Sequence, residues 1–113
     1  MVIPLETLLE IQNLTRLNPK REVCGLVLSD NEVVQITNVS TSPENCFVFS
    51  KREYFKALNR LVKEGKSILC VWHSHPGNNA EPSKADLDYV KLSKRNSLIV
   101  SGLEYYWIEY AQN

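Results

Sequence analysis

The chain has 113 residues, of which 43% are hydrophobic and 23% are charged. This composition is typical of one globular domain with its own core and excludes a disordered segment. Lysine plus arginine balance aspartate plus glutamate at 13 each, so charge gives no basis for binding nucleic acid or an anionic membrane surface. No stretch approaches the roughly 18 apolar residues of a membrane span.

Eight elements are predicted in the order helix, two strands, helix, strand, helix, two strands. The first helix begins at Pro4 and ends before Asn18–Pro19, because proline disfavours helix in the residue before it. Apolar runs between turn residues predict the strands. The predicted strands are 23–28, 32–39, 67–72, 98–100 and 105–110, with a shorter strand-like run at 47–49.

Two further helices have sequence signals at their ends. Ser50 and Glu53 form a capping-box pattern, and Gly65 ends that helix. The last helix spans 83–94. The residues predicted to face the core are Tyr54, Phe55, Leu58, Leu61 and Val62 in the first of these helices, and Leu87, Val90 and Leu92 in the second. The element order predicts a single α/β domain over residues 1–113, with a mixed β-sheet flanked by helices.

The chain's two histidines lie together after the predicted 67–72 strand, in the segment HSHPGNNAEPSKAD. Residues two apart on an extended strand share a face, so His73 and His75 can converge on one ion. Asp86, in the first turn of the following helix, can add a carboxylate oxygen. Three such ligands leave one position open on tetrahedral zinc, where bound water has its pKa lowered towards ~7. This pattern predicts one catalytic Zn²⁺ per chain.

A hydrolytic site of this kind also needs a group that moves protons. Glu22 is the first candidate, because it precedes a predicted strand and lies near a glycine that permits close approach. Glu81, in the loop, is the competing candidate. The Ser83 hydroxyl can stabilise an oxyanion formed when water attacks a carbonyl carbon.

Simpler interpretations exist for each of these residues. Ser83 and Asp86 also fit an N-terminal helix cap, which competes with metal binding for Asp86. Glu22 alone fits a charge at a strand edge. Cys24 and Cys70 fit small buried apolar residues. Their joint occurrence, with ligands, hydroxyl and acid in the order a metal site requires, favours the catalytic interpretation.

The pieces match the JAMM motif of the MPN-domain metallopeptidases. The matching residues are Glu22 in EVCGL, His73 to Pro76, and Ser83 to Asp86. The chain therefore resembles that family, which implies an MPN (cytidine-deaminase-like) fold. The resemblance also implies that His73, His75 and Asp86 are zinc ligands, that Glu22 is the general acid/base, and that Ser83 helps to stabilise the tetrahedral intermediate. Family members hydrolyse peptide or isopeptide bonds, often next to ubiquitin-like tails, so a protein or peptide substrate is expected.

The stretches SPENCFVFSKREYFKAL and SGLEYYWIEY also resemble the N-terminal domain of lambda-type phage tail assembly proteins, the tail-tip K family. That resemblance implies a peptidase in tail assembly, with phage tail proteins or an NlpC-type cysteine peptidase domain as partners. The expected location is then the cytoplasm of a bacterial or phage-infected cell, or the virion tail. The three cysteines fit a reducing compartment, because their odd number without a secretion signal argues against a disulfide framework.

Two other functions stay open at this point. The chain could be a catalytically silent MPN scaffold in tail assembly, although scaffold members usually lose motif residues that are all present here. A cysteine nucleophile, Cys24 or Cys70, could instead pair with a histidine, but the metal site would already use both histidines.

Overall fold

Three helices and five strands make up the computed structural model, which describes residues 3–77 and 79–111. The elements are α1 (Leu5–Arg16), β1 (Cys24–Leu28), β2 (Val33–Ile36), α2 (Lys51–Glu64), β3 (Ile68–Ser74), α3 (Lys84–Ser93), β4 (Ser97–Ser101) and β5 (Glu104–Ile108). The predicted order of elements is confirmed. Within the described residues, no helix has the length and apolar character needed to cross a membrane.

The five strands form one sheet in the order β2-β1-β3-β4-β5. Strand β3 runs parallel to β4, and every other neighbouring pair is antiparallel. The sheet is therefore mixed, as predicted. The parallel pair requires a crossover connection, which α3 provides. Because parallel strands end at the same edge, the carboxyl ends of β3 and β4 lie side by side where the crossover begins.

Side chains alternate between the two faces of the sheet, and each face has its own core. Helix α1 packs on one face through Ile11, against Trp72 and Leu98 among others. Helix α2 covers the other face through Ala57 and Leu61. Both faces of β1 and β4 are buried, which explains the continuous apolar runs Leu26–Leu28 and Leu98–Val100 in these strands.

Gly25 shows how closely the central strands approach their neighbours. It lies opposite Trp72 of β3 and Gln35 of β2. A Cβ atom at position 25 would collide with the carbonyl oxygen of Val34 and lie 2.8 Å from Nε1 of Trp72. Only glycine fits here, which supports the close approach predicted for this residue.

Helix ends agree better with the predictions than helix faces do. Ser50 accepts a hydrogen bond from the Glu53 N–H, and Gly65 ends α2 in the left-handed conformation at φ 68°. The inward orientation predicted for Phe55 and Val62 is wrong, because they are 60% and 81% exposed. The same correction applies to Leu87 and Leu92 of α3, which are 43% and 83% exposed, whereas Val90 is buried. On both helices, fewer side chains are buried than the apolar pattern of the sequence predicted.

Two loop boundaries also differ from the predictions. Strand β3 continues through His73 and Ser74, two residues beyond the end predicted at residue 72, so the following loop begins later. Residues 47–49 form no regular strand and contribute only an isolated bridge between Asn38 and Phe49. Both differences arise because backbone pairing with neighbouring strands, rather than local composition, decides where a strand ends.

Candidate active site

His73 and His75 lie at the carboxyl end of β3, where the strand leaves the sheet. His73 is 1% exposed, and the side chain of His75 is partly exposed. The backbone around them is held on both sides. The Ser74 N–H donates to the Val23 carbonyl, and the His75 N–H donates to the Val100 carbonyl, at 2.9 and 3.0 Å. This pairing keeps the segment extended, so both imidazoles project from the same face with ring centroids 5.2 Å apart.

Asp86 reaches both imidazoles from the first turn of α3. Its Oδ1 lies 3.1 Å from Nε2 of His73, and its Oδ2 lies 2.9 Å from Nε2 of His75. The same carboxylate completes a capping box, because Oδ2 accepts the Ser83 N–H at 2.9 Å while the Ser83 Oγ accepts the Asp86 N–H at 3.1 Å. The cap predicted for Ser83 and Asp86 is therefore present, and the same carboxylate also contacts both imidazoles.

The donor set of His73, His75 and Asp86, called here the ligand triad, fits a metal ion. One donor atom from each residue lies within 4.8 Å of the other two. Among the described residues, neither ring nitrogen of buried His73 has a hydrogen-bond partner, since Nε2 approaches Asp86 without the alignment of a hydrogen bond. Two imidazole nitrogens and a carboxylate oxygen are common ligands of catalytic zinc. A metal ion would give the buried Nε2 the partner that it lacks.

A backbone carbonyl orients the second imidazole. The carbonyl oxygen of Asn79 lies 3.2 Å from Nδ1 of His75. A proton on Nδ1 would be donated to that oxygen, and the Nε2 lone pair would then face the other two residues of the ligand triad. Outer partners of metal-binding histidines fix the imidazole ring in this way. The Ser101 hydroxyl supports the same turn, because it lies 2.9 Å from the carbonyl oxygens of both His75 and Gly77. The roles of Asn79 and Ser101 were not predicted, because contacts with backbone carbonyls leave no signal in the spacing of side chains.

Glu22 lies next to the ligand triad although it is 51 residues from His73 in the chain. Cys24 pairs with His73, and continuing this antiparallel register places Glu22 opposite His75. The register is held by the Val23 N–H, which donates to the Ser74 Oγ at 2.9 Å. Side chains directly opposite each other on antiparallel strands share a face. Glu22 therefore faces the same side of the sheet as both histidines.

The electrostatics of Glu22 suit proton transfer. Burial raises the pKa of its carboxyl from 4.5 to about 7; the charge of His75 opposes this rise and that of Asp86 adds to it. Glu22 is only 5% exposed, so desolvation of the charged form is the main cause. A carboxyl that titrates near neutral pH can both accept and return a proton. Glu81, the competing candidate, is exposed and its N–H donates to the Asn79 side chain.

The ligand triad is itself electrostatically coupled. Burial of Asp86 opposes its ionisation, but the adjacent imidazoles of His73 and His75 outweigh burial and hold the pKa of its carboxyl well below the usual range. Hydrogen bonding to Asp86 raises the pKa of His75. Burial lowers the pKa of His73, with Asp86 opposing. Buried His73 is thus favoured in the neutral form that binds metals.

The two buried cysteines are poor nucleophiles. Burial raises the pKa of both the Cys24 and Cys70 thiols to about 12. Cys24 additionally donates to the Ile36 carbonyl at 3.4 Å. A thiolate is the reactive form, and a raised pKa depletes it at neutral pH. These observations argue against the cysteine-nucleophile alternative.

A groove of about 700 Å³ adjoins His75. One wall is the exposed side of α1, with Leu9 and Arg16, and the other includes Pro76, Gly77 and Leu103. Leu9 is 52% exposed and Leu103 is 90% exposed. The groove therefore offers an apolar surface with a guanidinium at one side, beside the accessible histidine of the ligand triad.

Comparison with known proteins places this geometry in a family. The sequence profile of the prokaryotic homologs of the JAB domain matches residues 4–110. A solved structure from Desulfitobacterium hafniense superimposes with a TM-score of 0.73 at 26% identity and covers 95% of this chain and 83% of that one. A second, from Salinibacter ruber, has a TM-score of 0.57 at 19% identity over the whole of this chain and 92% of its own, which supports the fold alone.

Two curated relatives are enzymes by name. A probable TtuB-protein conjugate cleaving protease of Thermus thermophilus is 37% identical over 78 residues, which are 66% of this chain and 52% of that protein. The desampylase of Haloferax volcanii is 27% identical over 75 residues, covering 61% and 54%. The chain thus spans about half the length of these relatives. With nearly all of its length matched by the family profile, the chain belongs to the prokaryotic homologs of the JAB domain, within the JAMM/MPN group.

Proposed function

We propose that the chain is a zinc-dependent peptidase that cleaves a peptide or isopeptide bond with an activated water molecule. The observation that carries this proposal is the meeting of His73, His75 and Asp86 at one point, with the carboxyl of Glu22 beside them. The names of the Thermus and Haloferax relatives support a hydrolytic role.

Each proposed role follows from the position of the residue. His73, His75 and Asp86 would hold the ion through Nε2, Nε2 and a carboxylate oxygen. A bound zinc ion would supply Lewis acidity and lower the pKa of a water molecule in its open position. Glu22 accepts a proton from the attacking water and later gives it to the leaving amine. The Ser83 Oγ already accepts the Asp86 N–H, so its own proton is available to a developing oxyanion.

The substrate class follows from the relatives and from the groove. The Thermus relative is named for cleaving TtuB-protein conjugates; a protein conjugate is therefore the substrate class proposed here. The substrate would approach His75 along the groove that Leu9 and Leu103 line. A role in phage tail assembly, partners such as tail proteins or an NlpC-type domain, and a location in the cytoplasm or virion tail rest on the tail-tip resemblance alone and stay predictions, as does the single domain over 1–113.

The direct test uses a TtuB-protein conjugate as the probe. Wild type with zinc should cleave it, a chelator should abolish cleavage, and added zinc should restore it. Glu22→Gln should retain zinc but cleave roughly 10²- to 10⁴-fold more slowly, whereas the matched control Glu81→Gln should cleave at the wild-type rate. His75→Ala should lose zinc in metal analysis of the purified protein.

Three outcomes would contradict parts of this proposal. Normal cleavage by Glu22→Gln would remove the role given to Glu22. Loss of cleavage in Glu81→Gln alone would transfer that role to the loop acid. Full zinc occupancy without cleavage of this or other conjugates would favour the silent scaffold over the enzyme.

A further inference from the structure

Phe47 stacks on the imidazole of His73. The ring centroids are 4.7 Å apart and the planes are inclined by 27°. Phe47 belongs to the segment 37–50, which connects β2 to α2 and lies outside the sheet strands. The sequence motif that identifies the ligand triad does not include this segment.

The stacking contact matters because His73 lacks the usual means of fixing an imidazole. Metal-binding histidines normally donate their second ring N–H to a carbonyl or carboxylate, which sets the ring orientation. His75 has such a partner in the Asn79 carbonyl. Nδ1 of His73 has none among the described residues, although the ring is almost fully buried. The stacked ring of Phe47 is therefore a contact that can fix the plane of this imidazole.

Phe47 also contacts the helix that carries the third ligand. Its ring meets Tyr89 edge-on, with centroids 5.2 Å apart and planes inclined by 63°. Tyr89 lies three residues after Asp86 on α3, hence on the same side of the helix. Phe47 thus bridges the strand that carries His73 and the helix that carries Asp86.

The segment that carries Phe47 is anchored rather than loose. The Asn38 Nδ2 donates to the carbonyls of Cys46 and Glu22, at 3.1 and 2.9 Å, and the Asn38 Oδ1 accepts the Val48 N–H at 3.0 Å. One side chain therefore ties both neighbours of Phe47 to the backbone of Glu22. This anchoring holds the aromatic ring at a defined position above His73.

We propose that Phe47 is a positioning residue, which holds the His73 imidazole in the plane that directs Nε2 towards Asp86 and a shared metal ion. This inference rests on the metal site of the proposed function. Aromatic stacking stabilises ring pairs beyond the area that they bury, and His73, at 1% exposed, is enclosed on its other sides.

The test measures metal binding directly, without a substrate. Chelator-treated protein is titrated with Co²⁺, whose visible absorption reports ligand geometry and whose affinity is measured by competition with a chelator. Phe47→Ala should weaken binding roughly 10- to 100-fold, the range found when outer partners of metal ligands are removed, and should change the shape of the absorption bands. Phe47→Tyr, which keeps the stacked ring, should restore both affinity and spectrum.

Phe49→Ala is the matched control. Phe49 belongs to the same aromatic group, with its ring 5.6 Å from Phe47 and 5.5 Å from Tyr54, but the ring stacked on His73 is that of Phe47. Phe49→Ala should therefore leave the Co²⁺ spectrum unchanged and alter the affinity for Co²⁺ by no more than about threefold. Phe47→Leu, which keeps apolar bulk without an aromatic face, serves if circular dichroism shows that the alanine variant is unfolded; it should also weaken binding and change the spectrum.

The outcomes separate this inference from the proposed function. Wild-type affinity and spectrum in folded Phe47→Ala or Phe47→Leu would overturn the positioning role and leave the metal site intact. Equal losses in Phe47→Ala and Phe49→Ala would show a general packing effect and overturn it as well. Failure of the wild type itself to bind Co²⁺ or Zn²⁺ would instead remove the metal site on which both proposals depend.

Discussion

Glu22→Gln should stabilise the metal-free protein above pH 7 while it slows the proposed cleavage reaction. Glu22 is 5% exposed, and the pKa of its carboxyl is raised from 4.5 to about 7, chiefly by burial. An ionised Glu22 therefore opposes folding, because the unfolded chain solvates the charge better. The difference between the two pKa values corresponds to about 3 kcal/mol of unfolding free energy once Glu22 is ionised in both states.

The sign of the pH dependence follows from proton linkage. Between pH 4.5 and about 7 the folded protein binds more protons at Glu22 than the unfolded chain does. The contribution of Glu22 to stability is thus complete below pH 4.5 and is lost as pH rises to about 7. Glutamine has no such titration. Wild type and Glu22→Gln should differ least near pH 4.5, and the variant should gain up to about 3 kcal/mol relative to wild type by pH 8.

Urea unfolding of chelator-treated protein measures this difference at several pH values. The fluorescence of Trp72, which is fully buried, reports the transition. Glu81→Gln is the control, since Glu81 is exposed, and its stability should follow that of the wild type at each pH. A constant difference between wild type and Glu22→Gln from pH 4.5 to 8 would refute the claim that burial opposes the charge of Glu22.

Three more predictions test the scaffold and the groove. Gly25→Ala should lower the unfolding free energy by about 3 kcal/mol or more, because its Cβ meets the Val34 carbonyl; a loss below about 1 kcal/mol in urea unfolding would contradict that contact. Ser83→Ala should lower the unfolding free energy by about 1 kcal/mol, because the helix cap is lost, and should lower kcat about tenfold or more. Ser83→Thr should recover both values, whereas an unchanged kcat in Ser83→Ala would limit the role of Ser83 to that of a helix cap. Leu9→Glu should raise KM for the conjugate about tenfold at unchanged kcat, because it charges the groove wall. Leu5→Glu, exposed on the same helix, should leave KM unchanged, and equal effects of both would exclude the groove as the substrate path.

Local chemistry made much of the fold and part of the site predictable. Helix ends at Ser50 and Gly65 depend on backbone groups within one turn, so their signals lie in adjacent residues. The convergence of His73 and His75 follows from the two-residue period of a strand, which is equally local. The α/β class with a mixed sheet follows from the order of elements.

Features set by tertiary packing were not predictable in the same way. Periodicity marks an apolar stripe, but the rotation of α2 against the sheet decides that Leu61 is buried and Val62 is exposed. The nearness of Glu22 to His75 depends on the β1–β3 register, which pairs residues far apart in the chain. Phe47 follows no motif at all, because its position is set by the Asn38 contacts and by the ring of Tyr89.

The double use of the Asp86 carboxylate bears on how the protein would acquire its ion. The Ser83 N–H already orients that carboxylate, and His75 already faces it. In zinc fingers, by contrast, metal binding drives folding, and the apoprotein has no defined structure. The contact between Ser83 and Asp86 lies within one helical turn, so it would orient this ligand without help from an ion, and less of the binding free energy would be consumed in ordering the chain.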